Sequence, residues 1–568
     1  MKEQKKYFKS PYLKGNEDFL HKEFSDKLPT DHFLADQNNS DYGTSRRDFL
    51  KFLGFSTAAA VLSSCESPIQ KSVPYLNQPE EIIPGVANFY ASTYYQENTF
   101  ASILVKTREG RPISISSNKD YEKTTYGGGL NSRGYASVLS LYDSNRLKSP
   151  LKNNKELSWD KLDAEITKSL NQISKTKKKI VYLSPTVISP SHKKILELFQ
   201  KKYKNVEIVY YDPISKSAII EANKSCFGES FVPTYNFDKA KVVVSFEADF
   251  LGDWLDTSHG RKYSFLRNPG TDMSKHYQFE SLLTLTGSNS DKRVPVNPDE
   301  QLKYLMYIFT KLSMSNQDLD IENSNHKKLL DNICKELQEN QGKSLVVSGS
   351  SDPQNQIIVN AINYLLDNYS KTIDYNNKSN LYSGVNSIFK RFLDDIEANK
   401  IGALIINDLN IIYNFPKLKD KLNNVKLKVQ ITDSKNETSN YMDFTCPKSH
   451  FLESWGDASP YSGIYTIQQP TINPLFNSRE SEQILLKWVG VNDSYYSYLK
   501  SFYKSMALNK SWNKILHDGY CEIDFKTKDY VFSSKVAQAI TQNYTPDNSV
   551  ENNEFLMFYS KTSMGDGY

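Results

Sequence analysis

Thiols, imidazoles and carboxylates are the side chains that hold metals and move protons, so their spacing limits the chemistry a chain can do. This chain of 568 residues has five cysteines, Cys65, Cys226, Cys334, Cys446 and Cys521, with no Cys-x-x-Cys pair. A local zinc knuckle or an iron–sulfur motif built from neighbouring thiols is thereby excluded. The last four are expected as small buried hydrophobes. The densest polar stretch is 446–482, where His450, Glu453 and Asp457 offer a set for metal binding or acid–base work. Spacing alone supports that reading weakly, and hydrogen bonding of an irregular segment to the core is the plainer expectation. "VVSGSSD" at 346–352 runs from a strand through small residues into a helix, a form that can cradle phosphates. It lacks G-x-G-x-x-G and G-K-[ST], so a tight strand-to-helix turn is the stronger expectation. No nucleophile elbow or paired-carboxylate hydrolase site is present.

A different chemistry is written in 45–65, "SRRDFLKFLGFSTAAAVLSSC". Ser45-Arg46-Arg47-Asp48-Phe49-Leu50-Lys51 resembles a twin-arginine export signal. The apolar run after it is too short for a permanent membrane span. Leu62-Ser63-Ser64-Cys65 resembles a lipobox, which makes Cys65 the expected lipidation site, with simple cleavage or a retained anchor as alternatives. Arg46 and Arg47 are the expected export residues.

Around these residues the elements alternate. "ASILVKTREGRPISISSN" predicts a hairpin, strands 102–107 and 112–116, turning at Arg108-Glu109-Gly110-Arg111. The proline-bearing stretch before it, "VPYLNQPEEIIPGVANFYAST", is expected as an extended arm. From Ser158, a possible N-cap, Leu162, Ile166, Leu170 and Ile173 mark a helix. Strand and helix patterns then alternate through "KIVYLSP", "SHKKILELFQKKY", "VEIVYYDP", "SKSAIIEAN" and "KVVVSFEADF". They return in "SLVVSGSSDPQNQIIVNAINYLLDN", "IGALIINDLN" and "KLKVQITDS". Such alternation predicts an α/β fold with two doubly wound parallel-sheet lobes and a small N-terminal β-rich region. The expected divisions are an extended leader 1–64, an arm and β-rich region 65–157, a first lobe 158–314, a second lobe 315–440 and a closing segment 441–568. The 70 basic and 66 acidic residues are interspersed, so no nucleic-acid partner is expected.

"LVKTREGRPISISSN", "SRGYASVLSLYDSNRLKSPL", "FEADFL", "LVVSGS", "IGALIINDLN" and "HFLESWGDASPYSGIYTIQQPTINPLF" occur in one order. That order resembles the molybdopterin oxidoreductase family, and within it the large iron–sulfur subunit of alternative complex III, a quinol-oxidising complex. The resemblance spans about Tyr7 to Tyr568. Catalytic members carry an N-terminal cysteine quartet for a [4Fe–4S] cluster. Here no cysteine lies between Cys65 and Cys226, and Asn131-Ser132-Arg133-Gly134 stands where the last cluster cysteine would be. No Cys or Ser is assignable as a molybdenum ligand. The resemblance therefore implies a scaffold with no catalytic, cofactor-binding or metal-binding residue of its own. It implies iron–sulfur clusters in a ferredoxin-like part that would follow "FYSKTSMGDGY", or in a partner chain. The implied partners are that ferredoxin-like iron–sulfur module, a quinol-binding integral membrane subunit and c-type cytochrome subunits. The implied location is the periplasmic face of the bacterial inner membrane, lipid-anchored. A catalytic molybdopterin oxidoreductase with unusual ligands and an exported solute-binding lipoprotein stay open as alternatives.

Overall fold

The computed structural model describes residues 86–543 and 555–559, apart from 97, 125–126, 270–271, 316–318, 507 and 509. Arg46, Arg47 and Cys65 lie outside the described residues.

Strands β1 (Asn88–Gln96), β2 (Thr99–Arg108) and β3 (Arg111–Ser117) make an antiparallel sheet. Glu109 (φ 50°) and Gly110 (φ 73°) supply the two left-handed residues that a two-residue hairpin turn requires. The expected arm thus ends in a strand: Tyr90 pairs with Val105, which pairs with Ile115. Ile103, Val105 and Ile115 pack against Leu130, Val138, Leu141 and Leu452.

Two short strands follow, β4 (Leu151–Lys152) and β5 (Lys155–Glu156), then the helix Trp159–Ile173. Its predicted apolar stripe is buried, while Ser158 stands at the N-cap without a side-chain capping bond. β6 (Lys179–Ser184), β7 (Val206–Tyr210), β8 (Val232–Tyr235), β9 (Val242–Phe246), β10 (Lys275–Glu280) and β11 (Lys292–Pro295) come next. Helices Pro190–Lys202 and Ser217–Phe227 lie among them. After helices Glu300–Leu312 and Ser324–Glu339 come β12 (Ser344–Ser348), β13 (Ile373–Ser379), β14 (Ile401–Asn407), β15 (Leu427–Thr432) and β16 (Phe444–Pro447). β17 (Gly456–Ala458), β18 (Ile464–Gln468) and β19 (Tyr520–Glu522) form a small antiparallel sheet.

Two sheets carry the α/β architecture. One has the order β5-β4-β16-β15-β14-β6-β7 and is parallel from β16 to β7. The other has the order β11-β10-β9-β12 and is parallel throughout. Every residue of β9, β12 and β14 is buried, as expected for parallel strands covered on both faces.

The sheets divide the chain differently from the sequential lobes expected at 158–314 and 315–440. β12 joins β9–β11, and β14–β16 join β6 and β7, so the four-stranded sheet is inserted between two halves of the seven-stranded one. Local patterns mark strands, but pairing across two hundred residues depends on which faces the helices can cover. At the far end a strap returns to the four-stranded lobe. Tyr530 donates to Glu229 at 2.8 Å, Phe532 stacks on Tyr364 at 4.5 Å, and Ala537 is buried in that lobe's core.

Candidate functional site

His450, Glu453 and Asp457 do not converge. His450 Nδ1 accepts the Leu452 N–H at 3.2 Å, so Nε2 carries the proton and donates to Ser140 Oγ at 2.8 Å. Burial, then the Arg146 charge, push its pKa down to about 4. Glu453 accepts from Arg146 Nη1 at 3.0 Å and Nη2 at 2.6 Å, and also from the amides of His450 and Leu475. Burial raises the Glu453 pKa, but these hydrogen bonds outweigh it and hold the carboxyl below its ordinary range. Asp457 instead accepts from Ser189 Oγ, Ser191 Oγ (2.7 Å), Ser191 N–H (3.2 Å) and Tyr503 OH (3.2 Å). Burial pushes it up to about 6. Each group bonds a different part of the fold, and among the described residues no cluster of three His, Cys, Asp or Glu can hold a metal. Cys226, Cys334, Cys446 and Cys521 are free and buried, as expected.

The 346–352 loop is a tight turn closed on itself. Ser350 N–H bonds Ser348 Oγ, Asp352 N–H bonds Ser350 Oγ, and Gln354 N–H bonds Asp352 Oδ1. The Gly349 N–H goes to the Phe246 carbonyl at 2.7 Å. Asn131 is a helix cap that accepts the Gly134 N–H at 2.8 Å.

The residues that sequence reasoning missed lie at the carboxyl ends of the parallel strands, where open α/β sheets take ligands at the point of strand-order reversal. In the seven-stranded sheet the order reverses between β6 and β14. Asp408, immediately after β14, has φ 52° and pairs with Lys448, each about a third exposed. Glu482 accepts from His192 Nδ1 at 2.7 Å, and His192 Nε2 meets Tyr182 OH at 3.0 Å. Burial raises the Asp408 pKa. At Lys448 burial works downward, but Asp408, Glu482 and Asp433 prevail and raise it. Beside β6 and β7, buried Asp212 accepts from Asn98, from the amide and hydroxyl of Thr186, and from the amides of Ser383 and Gly384.

The four-stranded sheet repeats the device. Its order reverses between β9 and β12, and Glu247, immediately after β9, has φ 54°. Its amide bonds the Phe279 carbonyl on β10, as the Asp408 amide bonds Ile431 on β15. Glu247 Oε1 accepts from Ser281 at 2.9 Å. No local signal marked these positions, because they matter only once the strand order is known.

A pterin dinucleotide, the ligand that the catalytic alternative requires, is an anion and needs free N–H donors and cations. The strand ends here present Asp212, Glu247, Asp408 and Asp433, with Glu482 in the first turn of helix Ser481–Val489. Lys448 is ion-paired, and the three 348–354 amides named above bond the loop's own side chains. These residues do not fit that group. A groove of ≈ 580 Å³ runs along helix Trp159–Ile173, lined by Asp163, Thr167, Lys168 and Lys175, none of which belongs to the strand-end set.

No protein-family model matches the chain, and no curated protein sequence matches it. Among solved structures it is similar to acetylene hydratase from Pelobacter acetylenicus, with a TM-score of 0.56 and 11% identity over 76% of this chain and 74% of that one. At that identity the likeness concerns the fold alone. The parallel sheets, the small N-terminal β region and this likeness together give the chain a mixed α/β fold like that of acetylene hydratase.

Proposed function

We propose that the chain is a non-catalytic framework subunit of a periplasm-facing, quinol-oxidising electron-transfer complex of the alternative complex III kind. In this role it docks an iron–sulfur module, a quinol-binding membrane subunit and cytochrome subunits, and is held at the membrane through Cys65. The observation that carries the reading is the chemistry of the strand ends. The positions where this fold takes ligands bear carboxylates and self-bonded turns, which disfavour an anionic cofactor. The cysteine spacing adds to it, since four buried, dispersed thiols offer no cluster site. Among the described residues no helix is long and apolar enough to cross a membrane, so docking to a membrane subunit would use surfaces and the anchor.

Molybdenum and tungsten content of the purified chain, by plasma mass spectrometry, tests the reading. Neither metal should be present at stoichiometric level, and iron–sulfur and cytochrome chains should co-purify from the native membrane. Stoichiometric metal with a bound pterin would establish the catalytic alternative instead.

A further inference from the structure

The hairpin end of the three-stranded sheet exposes apolar side chains beside cations. Phe89 is 59% exposed and Val86 53%, with Tyr90 and Ile113 also open to solvent. The ladder sets Phe89 and Lys106 on one face, with Tyr90, opposite Val105, alternating to the other. Phe89 faces Lys106, Lys106 faces Ser114 beside Ile113, and Arg108 faces Arg111 at the turn. Within 106–113 stand three cations, Lys106, Arg108 and Arg111, against one carboxylate, Glu109.

We propose that this end of the sheet docks on an anionic lipid bilayer. Aromatic and branched apolar side chains flanked by Lys and Arg match the chemistry of the membrane interface. The chain length agrees. Val86 follows the lipobox cysteine by 21 residues, a link of at most about 75 Å when extended. A lipid anchor fixes distance but not orientation, and this surface sets which end of the protein meets the lipid. The inference rests on the lipobox reading only for the anchor, and on none of the proposed subunit role.

Flotation of the full chain carrying Cys65→Ser with phosphatidylethanolamine–phosphatidylglycerol vesicles separates surface from anchor. Binding is expected at low ionic strength, weakening with salt, and falling by about tenfold in the Phe89→Ser/Arg111→Glu variant. Both positions are exposed, so an unchanged unfolding midpoint confirms that the variant folds. No vesicle binding by the Cys65→Ser chain overturns the proposal, as does equal binding by the patch variant. If the patch variant keeps vesicle binding but loses an integral membrane partner on purification, the surface is a protein interface and the lipid assignment is wrong. The assay reads the difference that Phe89→Ser/Arg111→Glu makes in the Cys65→Ser chain, to which the leader contributes equally on both sides, so failure of the lipobox reading leaves that difference unchanged. Failure of the subunit role is read separately by metal content.

Discussion

Arg146 and Glu453 close a bidentate ion pair across 307 residues of sequence, with side-chain exposures of 2% and 0%. Arg146 also donates to the Leu141 carbonyl, and Glu453 takes the backbone amides of His450 and Leu475, so the pair staples the segment after the N-terminal sheet to the two ends of the segment that carries β17 and β18.

Removing one partner leaves a buried, uncompensated charge. Arg146→Met or Glu453→Met should each destabilise by about 3–5 kcal/mol. The double variant should recover much of that loss, because the two apolar side chains can pack where the charges stood. Urea unfolding of the three variants measures it. Additive losses in the double variant would show that the two side chains act independently.

The same pair marks how far the sequence could be read. The density of His450, Glu453 and Asp457 was visible, but their partners Ser140, Arg146, Ser189 and Ser191 were not, being placed by long-range packing. The hairpin turn was legible because the Glu109-Gly110 pair and the alternation of β2 and β3 are local. The interleaving of the two sheets was not, since β12 and β14 read alike as buried parallel strands. Their assignment to different sheets depends on helices elsewhere in the chain.

Gly349 and Gly110 are glycines for different reasons. A Cβ on Gly349 would meet the Glu247 carbonyl oxygen at 2.2 Å, whereas one on Gly110 meets nothing within 4 Å but must adopt φ +73°. Gly349→Ala and Gly349→Asn should therefore both cost about 1–3 kcal/mol by displacing backbone. Gly110→Ala should cost about 1 kcal/mol, and Gly110→Asn less, because Asn tolerates the left-handed region. Equal Ala and Asn effects at Gly110 in thermal unfolding would contradict the conformational explanation.

The four described thiols are shielded twice. Burial pushes Cys226 and Cys521 up to about 11, Cys334 up to about 12, and Cys446 well above its ordinary value. Native protein at pH 8 should react with an aromatic disulfide reagent at these positions only on the timescale of unfolding, and fully in denaturant. Fast labelling of any of the four, mapped by peptide mass, would place that thiol at an accessible surface.

Stability should fall on mild acidification, with Asp457 opposing the trend. Burial, first among the causes, lowers His259 to about 3 and His276 and His450 to about 4, against about 6.5 in the unfolded chain. Below about 6.5 the unfolded state takes up protons that the folded state refuses, so this stability is present above 6.5 and is lost as pH falls towards 4. Asp457 has the reverse sign. Its folded pKa of about 6 lies above an unfolded value near 3.9, so its contribution is full below about 4 and is lost as pH rises through 6. The three imidazoles set the trend against the carboxyls that burial raises, Asp457, Asp408, Asp256 and Glu480, and the urea midpoint should drop between pH 7 and pH 5. Asp457→Asn removes one opposing group. That variant should gain stability relative to the parent at pH 7, by up to about 3 kcal/mol, and should lose it more steeply on acidification. A parent midpoint that stays flat from pH 7 to pH 5 would show that these imidazoles are not held neutral. A variant slope no steeper than the parent's would show that Asp457 is ionised in the folded protein throughout that range.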